Sequence, residues 1–426
     1  MLWQELGAMP RELVYPDECV SVLSPEGKLF YDYYDLERLH RHLLELAPAD
    51  AAVINEYINA IKPFAKNDIW GEMMLGGPAV LLRALPHMLP IFKWFKPTMA
   101  HMGRCFSDPF LQRAFPLLVY SMPQMPFAFH LGRHGYGMMG DIAWPVGAAA
   151  EFAASMARRY TELGGEIHYR CEVVKILTRA NRAVGIRLAD GTEEYGDVII
   201  SNADGRKTLL ELLKGRFMNK QLEGYCREPE DETNWAVHVF LGVNRDLSRE
   251  PSSLVMLLPE AVTIAGHQTL SLEMQMYGLD RSMAPDGKGV IKVELFSRYS
   301  YWKELAKDRA RYEADKEKVA GQVLDILETY FTGIKNQVEV VDVPTLLTWE
   351  RFMGGTHGFV NMPSKKPDFL ASIFKHGDML LPGLDNFYFV GIWATSAGAL
   401  FINAHSGKKA VKLICKNDGR RFTSAF

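Results

Sequence analysis

Three segments between Trp235 and Ser297 alternate apolar and polar residues: Trp235, Val237, Val239 and Leu241, then Leu272, Met274 and Met276, then Ile291, Val293 and Leu295. Side chains in a strand point to opposite faces in turn. Such a stretch therefore predicts a sheet with one buried face and one face that is wet or lines a cavity. His238 falls on the face opposite Trp235 and Val237, where it is a candidate for lining that cavity.

Around this sheet the texture varies. From Met1 to about Phe129 the pattern is mostly helical and rich in Met, Phe, Trp and Pro, with helices predicted at Leu36–Leu46 and Asp50–Phe64. The apolar, proline-punctuated stretch from Met73 to Phe129 reads either as a lid or packing surface, or as the wall of a site for a long apolar substrate. Val146–Gly165 reads as an alanine-rich helix stopped by a glycine pair. Three short strands are predicted next, at Glu166–Tyr169, Val173–Thr178 and Val184–Leu188, with turns at Ala180-Asn181-Arg182 and Asp190-Gly191. Val198-Ile199-Ile200 reads as a buried strand running into a polar loop. A long charged helix is predicted at Lys303–Phe331, a strand at Val338–Thr348, and a strand, small-residue loop and helix over Phe387–Cys415.

Composition excludes several classes. With 48 basic against 51 acidic residues the net charge is −3, so no global field favours nucleic acid. At 48% hydrophobic residues the chain is not disordered, and five scattered cysteines (Cys19, Cys105, Cys171, Cys226, Cys415) form no disulfide framework and fit a reducing compartment. The N-terminus has no basic region leading into an apolar run, and no window reaches the roughly 18 consecutive apolar residues of a spanning helix. The basic run Lys408, Lys409, Lys412, Lys416, Arg420 and Arg421 most simply complements a helix C-terminal dipole. The expected location is the cytoplasm, with peripheral contact to a membrane as the minor alternative.

A dinucleotide fingerprint has one literal match, Gly135-Tyr136-Gly137-Met138-Met139-Gly140. That motif needs a strand feeding it and a helix starting inside it, because the helix N-terminus must face the pyrophosphate. Pro145 places the next helix start too late, so the match is read as fortuitous. The segment Asn386–Gly407 is more informative. An apolar strand enters Gly391, small residues follow, and a helix begins near Gly398–Leu400. Such a helix start stabilises a phosphate or a reduced isoalloxazine; it is equally an ordinary strand–turn–helix with glycines for tight packing. His40 and His42 are read as solvated and His405 as structural. His357, in the loop Gly354-Gly355-Thr356-His357-Gly358, is the best titratable candidate near this segment. No histidine pair is read as having zinc-like spacing, and no metal is expected.

Together, the helix start Trp144-Pro145-Val146-Gly147, the run Glu162–Ile167 through Gly185–Gly191 to Asp197–Asp204, and Asn386–Gly407 resemble, in order and spacing, the bacterial-type phytoene desaturases. Carotenoid isomerases and retinol saturase share these blocks, within the larger flavin amine oxidase group. The closing Leu413–Phe422 also resembles a desaturase-like bacterial subgroup. The chain departs from the pattern in four places. It opens at a position resembling the family's "LWEELG" helix, downstream of the usual βαβ unit with its G-x-G-x-x-G. Ala148 replaces the second glycine of Pro-x-Gly-Gly, Ile392 follows Gly391 where a polar residue is common, and the Gly-Gly-Gly-Leu stretch reads Ala397-Gly398-Ala399-Leu400.

The resemblance implies an α/β (α+β) chain: a flavin amine oxidase-like FAD domain lacking its first βαβ unit, an antiparallel substrate-binding sheet and a helical lid. The corresponding divisions are residues 1–130 (lid and substrate- or membrane-facing region), 131–225 (FAD-binding, middle part), 226–350 (substrate sheet and helix) and 351–426 (FAD-binding, C-terminal part). FAD is the implied cofactor. Val173 would lie against the adenine, with Asn202 and Ala203 near the cofactor. Gly391, Gly398, Ala399 and Leu400 would face the pyrophosphate and flavin ring, and Pro145 and Gly147 would lie over the flavin. His238 and His357 are the cavity candidates, and no catalytic side chain is implied. The implied activity is hydride transfer from a long apolar isoprenoid-type substrate to flavin N5. The competing expectation is a truncated, flavin-free relative acting as a binding or subunit-partner protein. Expected partners are an apolar small molecule and a second copy or partner chain.

Overall fold

The computed structural model describes residues 2–66, 85–86, 91–227, 233–355, 380–394 and 400–423. Along the chain the strands are β1 (Leu13–Val14), β2 (Glu18–Leu23), β3 (Leu29–Tyr33), β4 (Trp144–Pro145), β5 (Val173–Arg179), β6 (Arg182–Leu188) and β7 (Glu193–Tyr195). They continue with β8 (Ile199–Ser201), β9 (Thr233–Val243), β10 (Ser253–Ile264), β11 (His267–Met276), β12 (Gly289–Arg298), β13 (Val338–Asp342) and β14 (Phe387–Phe389). The chain divides into two compact units: residues 10–153 with 235–344, and residues 1–9 with 154–234 and 345–426.

The first unit is built on a seven-stranded sheet in the order β13-β9-β12-β11-β10-β2-β3. The alternating segments become β9, β11 and β12, and their apolar residues are buried as the pattern requires: Val237, Val239, Leu241, Leu272, Met274, Met276, Ile291, Val293 and Leu295. Residues 18–33, read above as part of a helical region, instead supply β2 and β3. β2 runs parallel to β10, and all six of its residues are buried, so it has no polar face to signal a strand. The helices Leu36–Leu46 and Ala51–Ile61 form where the apolar spacing predicts them; Asp35 caps the first by accepting the Arg38 N–H. The predicted helix over Lys303–Phe331 is two helices, Tyr299–Leu305 and Arg309–Tyr330. The break comes at Asp308, whose carboxylate caps the Ala310 and Arg311 N–H groups. The second helix buries Val319, Ala320, Val323 and Leu327, and Gln322 donates to the Thr263 carbonyl at the end of β10.

The second unit holds the antiparallel sheet β5-β6-β7 and the parallel pair β8–β14. Ala180 (φ 44°) and Asn181 (φ 62°) both take left-handed conformations, which is what a two-residue turn between β5 and β6 demands. Two predicted strands differ. Glu166–Tyr169 stays outside the sheet, with Ile167 and Tyr169 exposed, and Glu193–Tyr195 takes the third place. Ile200, expected to be buried, is 47% exposed. The strand predicted at Val338–Thr348 ends at Asp342, and a Thr345/Thr348 capping box starts the helix Leu346–Met353. This unit's core gathers Ile176, Leu209, Leu212, Leu384, Phe387, Phe389 and Ala410, the last from the helix Leu400–Asn417. Among the described residues, no helix is long and apolar enough to cross a membrane.

Candidate functional site

The G-x-G-x-x-G match lies on the helix Phe127–Met138 and just beyond it. A Cβ on Gly135 would sit 2.5 Å from the Phe64 carbonyl oxygen, and one on Gly137 would sit 2.0 Å from the Tyr34 ring. These glycines permit close packing of a helix interior and present no free N–H groups to a phosphate.

In the second unit, the loops after β8 and β14 leave the carboxyl ends of two parallel strands, where ligands bind in open α/β sheets. Gly391 is buried at φ 77°, and a Cβ there would fall 1.9 Å from Asn202 Oδ1. The structure thus brings Asn202 and Gly391 together, with Ala203 exposed beside Asn202. The Gly391 N–H donates to Ser406 Oγ (2.7 Å), and Ser406 Oγ donates to the Asn403 carbonyl (2.5 Å), so the loop is fixed by the helix that follows it. Trp393 closes over Gly205, whose added Cβ would lie 2.4 Å from the indole. Val173 is half-buried at the start of β5, paired with Leu188, and Leu400 is 58% exposed at the first turn of its helix. A glycine held tight against an exposed asparagine, at the mouth of a parallel pair, fits a flat cofactor passing close to backbone. Gly398, Ala399 and His357 lie outside the described residues.

Pro145 and Gly147 belong to the first unit. Pro145 pairs with Leu13 in the short β1–β4 ribbon. The Gly147 N–H donates to Asp280 Oδ2 (2.8 Å), while Asp280 Oδ1 accepts the Ser282 N–H (2.9 Å) and hydroxyl (2.6 Å). Gly147 (φ 83°) and Ala148 (φ 52°) are both left-handed, so Ala148 carries its methyl group in a conformation that glycine adopts without strain.

The sheet's second face is polar. Glu273 on β11 stands directly opposite Glu294 on β12, and Lys292 Nζ lies 2.5 Å from Glu294 Oε1. The Ser121 hydroxyl donates to Glu273. Glu273 and Glu294 line a cavity of about 160 Å³ together with Arg133, Tyr120, Trp144, Leu118, Val255 and Cys19. Burial pushes the Glu273 carboxyl up to about 7, and the Glu294 charge adds to the effect against the Ser121 hydrogen bond. His238 faces Lys292 and Glu294. Burial first, and then the Lys292 charge, hold its imidazole down at about 4, so it is neutral at physiological pH. A carboxyl that titrates near neutrality in a cavity is the pattern of a proton-holding site.

Behind this cavity lies a second group that sequence reasoning passed over. His130 and His134, four apart on Phe127–Met138, project from one face of that helix, contrary to the expectation from histidine spacing. Both are fully buried with Asp32 of β3, Cys19 of β2 and Tyr57 of the helix Ala51–Ile61. The Tyr57 hydroxyl donates to Asp32 Oδ1 (3.0 Å) and lies 2.7 Å from His130 Nε2 and 3.1 Å from His134 Nε2. His134 Nε2 is 2.9 Å from Asp32 Oδ1. The i,i+4 pair inside a segment already read as apolar and helical was the signal available. His42, read as solvated, is half-buried, accepts the Tyr31 N–H (3.0 Å) and stacks on Phe30. His40 is hydrogen-bonded to Asn55 (2.8 Å).

Comparison with known proteins agrees with this architecture. The family model for flavin containing amine oxidoreductase matches residues 102–415. Prolycopene isomerase from Arabidopsis thaliana is 32% identical over 241 residues, a match covering 51% of this chain and 37% of that protein. The 4,4'-diapophytoene desaturase (4,4'-diapolycopene-forming) of Methylomonas sp is 24% identical over 406 residues, covering 85% of this chain and 76% of the desaturase. Among solved structures, an oxidoreductase from Methanosarcina mazei superposes with a TM-score of 0.58 over 96% of this chain and 84% of its own, at 15% identity, which is a likeness of fold.

Proposed function

Because the chain belongs to the flavin containing amine oxidoreductase family, we propose that it is an FAD-dependent oxidoreductase acting on a long, apolar, isoprenoid-type substrate. The observation that carries the cofactor half of this reading is the seating of Gly391 against Asn202 at the carboxyl ends of β8 and β14. Asn202, Ala203 and Gly391 would hold FAD, with Val173 at the adenine. When bound, FAD supplies a hydride acceptor at flavin N5.

The chain's own residues would do the rest. Leu118, Trp144 and Val255 offer apolar wall, and a neutral Glu273 carboxyl makes that wall cheaper to leave unhydrated than a carboxylate would. Titrating near 7, Glu273 can hold or release one proton during redistribution of a double bond. Lys292 pairs with Glu294, and the neutral His238 feels the charges of both. A cavity of about 160 Å³ lies below the roughly 300–1,000 Å³ of a drug-sized pocket, so a long substrate would present one segment to it.

The test is anaerobic mixing of the FAD-loaded chain with acyclic polyene substrates and, separately, with primary amines. Bleaching of the oxidised flavin bands by polyenes but not amines is expected. Bleaching by amines alone would replace the isoprenoid reading with amine oxidation. A chain that takes up no flavin would favour the binding-protein alternative.

A further inference from the structure

We propose that Cys19, Asp32, His130 and His134 form a buried site for one divalent transition-metal ion of the zinc type. The proposal is independent of flavin chemistry and rests on how four donors converge.

Their ligating atoms all lie within 4.8 Å of one another, with His134 Nε2 2.9 Å from Asp32 Oδ1 and His130 Nε2 3.5 Å from Asp32 Oδ2. Metal–ligand bonds of about 2.0–2.3 Å in a tetrahedron put donor atoms roughly 3.3–3.8 Å apart. The four side chains therefore already stand near a coordination shell and would close on an ion by shifts of about 1 Å or less. Two imidazoles, a carboxylate and a thiol are the mixed donor set that zinc and its neighbours take, and not the all-oxygen set of calcium or magnesium. The donors come from rigid elements: the two histidines from one helix face, Cys19 and Asp32 from the paired strands β2 and β3.

Hydrogen bonding alone leaves this group incomplete. The Tyr57 hydroxyl has one proton for three neighbours, and Asp32 Oδ2, fully buried, has no hydrogen-bond partner. An ion would supply the positive charge facing that oxygen. The balance also closes: on binding, the Cys19 S–H bond breaks, its proton goes to solvent, and a metal–sulfur bond forms. Thiolate and carboxylate then offset the two positive charges of the ion, leaving a neutral centre in a dry interior. Neither histidine Nδ1 has a hydrogen-bond partner, so ring orientation rests on packing: His130 stacks on Tyr57 at 5.7 Å and His134 meets Tyr34 edge-on at 5.7 Å. Cys19 also lines the polar cavity, which gives an ion its access from outside. The ion would clip β2, β3 and the helix Phe127–Met138 together.

Full-length protein stripped with a chelator and titrated with Co²⁺ tests this directly. The expected result is one Co²⁺ per chain with both d–d bands and a thiolate-to-cobalt charge-transfer band, displaced by Zn²⁺, and a higher unfolding temperature with Zn²⁺ than with chelator. Cys19→Ser should abolish the charge-transfer band while d–d absorption remains, and His130→Gln should weaken Co²⁺ binding by at least about 10-fold. Substoichiometric Co²⁺ without charge-transfer absorption, together with no Zn²⁺-dependent change in unfolding temperature, would overturn the proposal and leave a metal-free hydrogen-bonded core. The same holds for binding that survives His130→Gln and Cys19→Ser unchanged. Wild-type titration decides the matter even where a variant fails to fold.

Discussion

Glu273 and Glu294 face each other across β11 and β12, on the polar side of the seven-stranded sheet. Two carboxylates directly opposite repel each other. The structure resolves this by treating them differently: Glu294 pairs with Lys292 at 2.5 Å, while Glu273 is half-buried, hydrogen-bonded by Ser121 and shifted up to about 7. The like-charge pair thereby becomes one salt-bridged group and one group that switches near neutral pH.

This arrangement makes stability depend on pH in opposing ways. Glu273 keeps its proton in the folded state up to about 7 but loses it near 4.5 when unfolded, so its contribution falls as pH rises between those values. His238 is neutral in the folded state down to about 4 but protonates near 6.5 when unfolded, so its contribution is lost as pH falls across that window. The two nearly offset in the wild type. Glu273→Gln should unmask the histidine, giving a stability that rises between pH 4 and 6.5 and that gains on wild type by up to about 3 kcal/mol between pH 4.5 and 7. Urea unfolding at a series of pH values checks this; parallel profiles for variant and wild type would show that Glu273 does not titrate abnormally.

Gly391 should tolerate no side chain. Alanine there meets the unfavourable φ of 77° and overlaps Asn202 Oδ1, so Gly391→Ala is expected to destabilise by about 1–3 kcal/mol. Adding Asn202→Ala removes the overlap but not the φ cost, and a double-mutant cycle should recover only part of the loss.

Asp280 accepts hydrogen bonds from Gly147 and from both the backbone and hydroxyl of Ser282. It is 4% exposed, while Gly147 is half-buried and Ser282 exposed, so Asp280→Ala removes the acceptor of the Gly147 turn and should cost about 1–2 kcal/mol in denaturant unfolding. Asp280→Asn, which retains one acceptor oxygen, should cost less. Equal losses in the two variants would show that acceptance by the carboxylate is not what holds the Gly147 turn.

What could be read in advance follows from what each element exposes. β9, β11 and β12 were legible because one face of each is wet, and the helix Ala51–Ile61 because Ala51, Ile54, Tyr57, Ile58 and Ile61 recur at helical spacing. β2 was not, since a strand buried on both faces has no alternation to distinguish it from an apolar helix segment. The seating of Gly391 against Asn202 pairs residues 189 apart from the two family blocks, and only the resemblance between those blocks and known flavoproteins hinted at it. Glu273 escaped notice because periodicity counts apolar positions, whereas its chemistry comes from the polar positions between them. His130 and His134 stood in plain view at helical spacing, but their partners Cys19, Asp32 and Tyr57 arrive from three other elements and only the fold assembles them.

The central claim is that this chain holds FAD. The most direct measurement is the visible absorbance of the purified full chain titrated with FAD, followed by removal of unbound ligand. The account predicts one FAD retained per chain with shifted flavin bands, and an affinity at least about 10-fold weaker in folded Gly391→Ala, because the methyl group displaces Asn202 from the cofactor loop. Full-length protein that retains no flavin and leaves the spectrum of added FAD unchanged would contradict it.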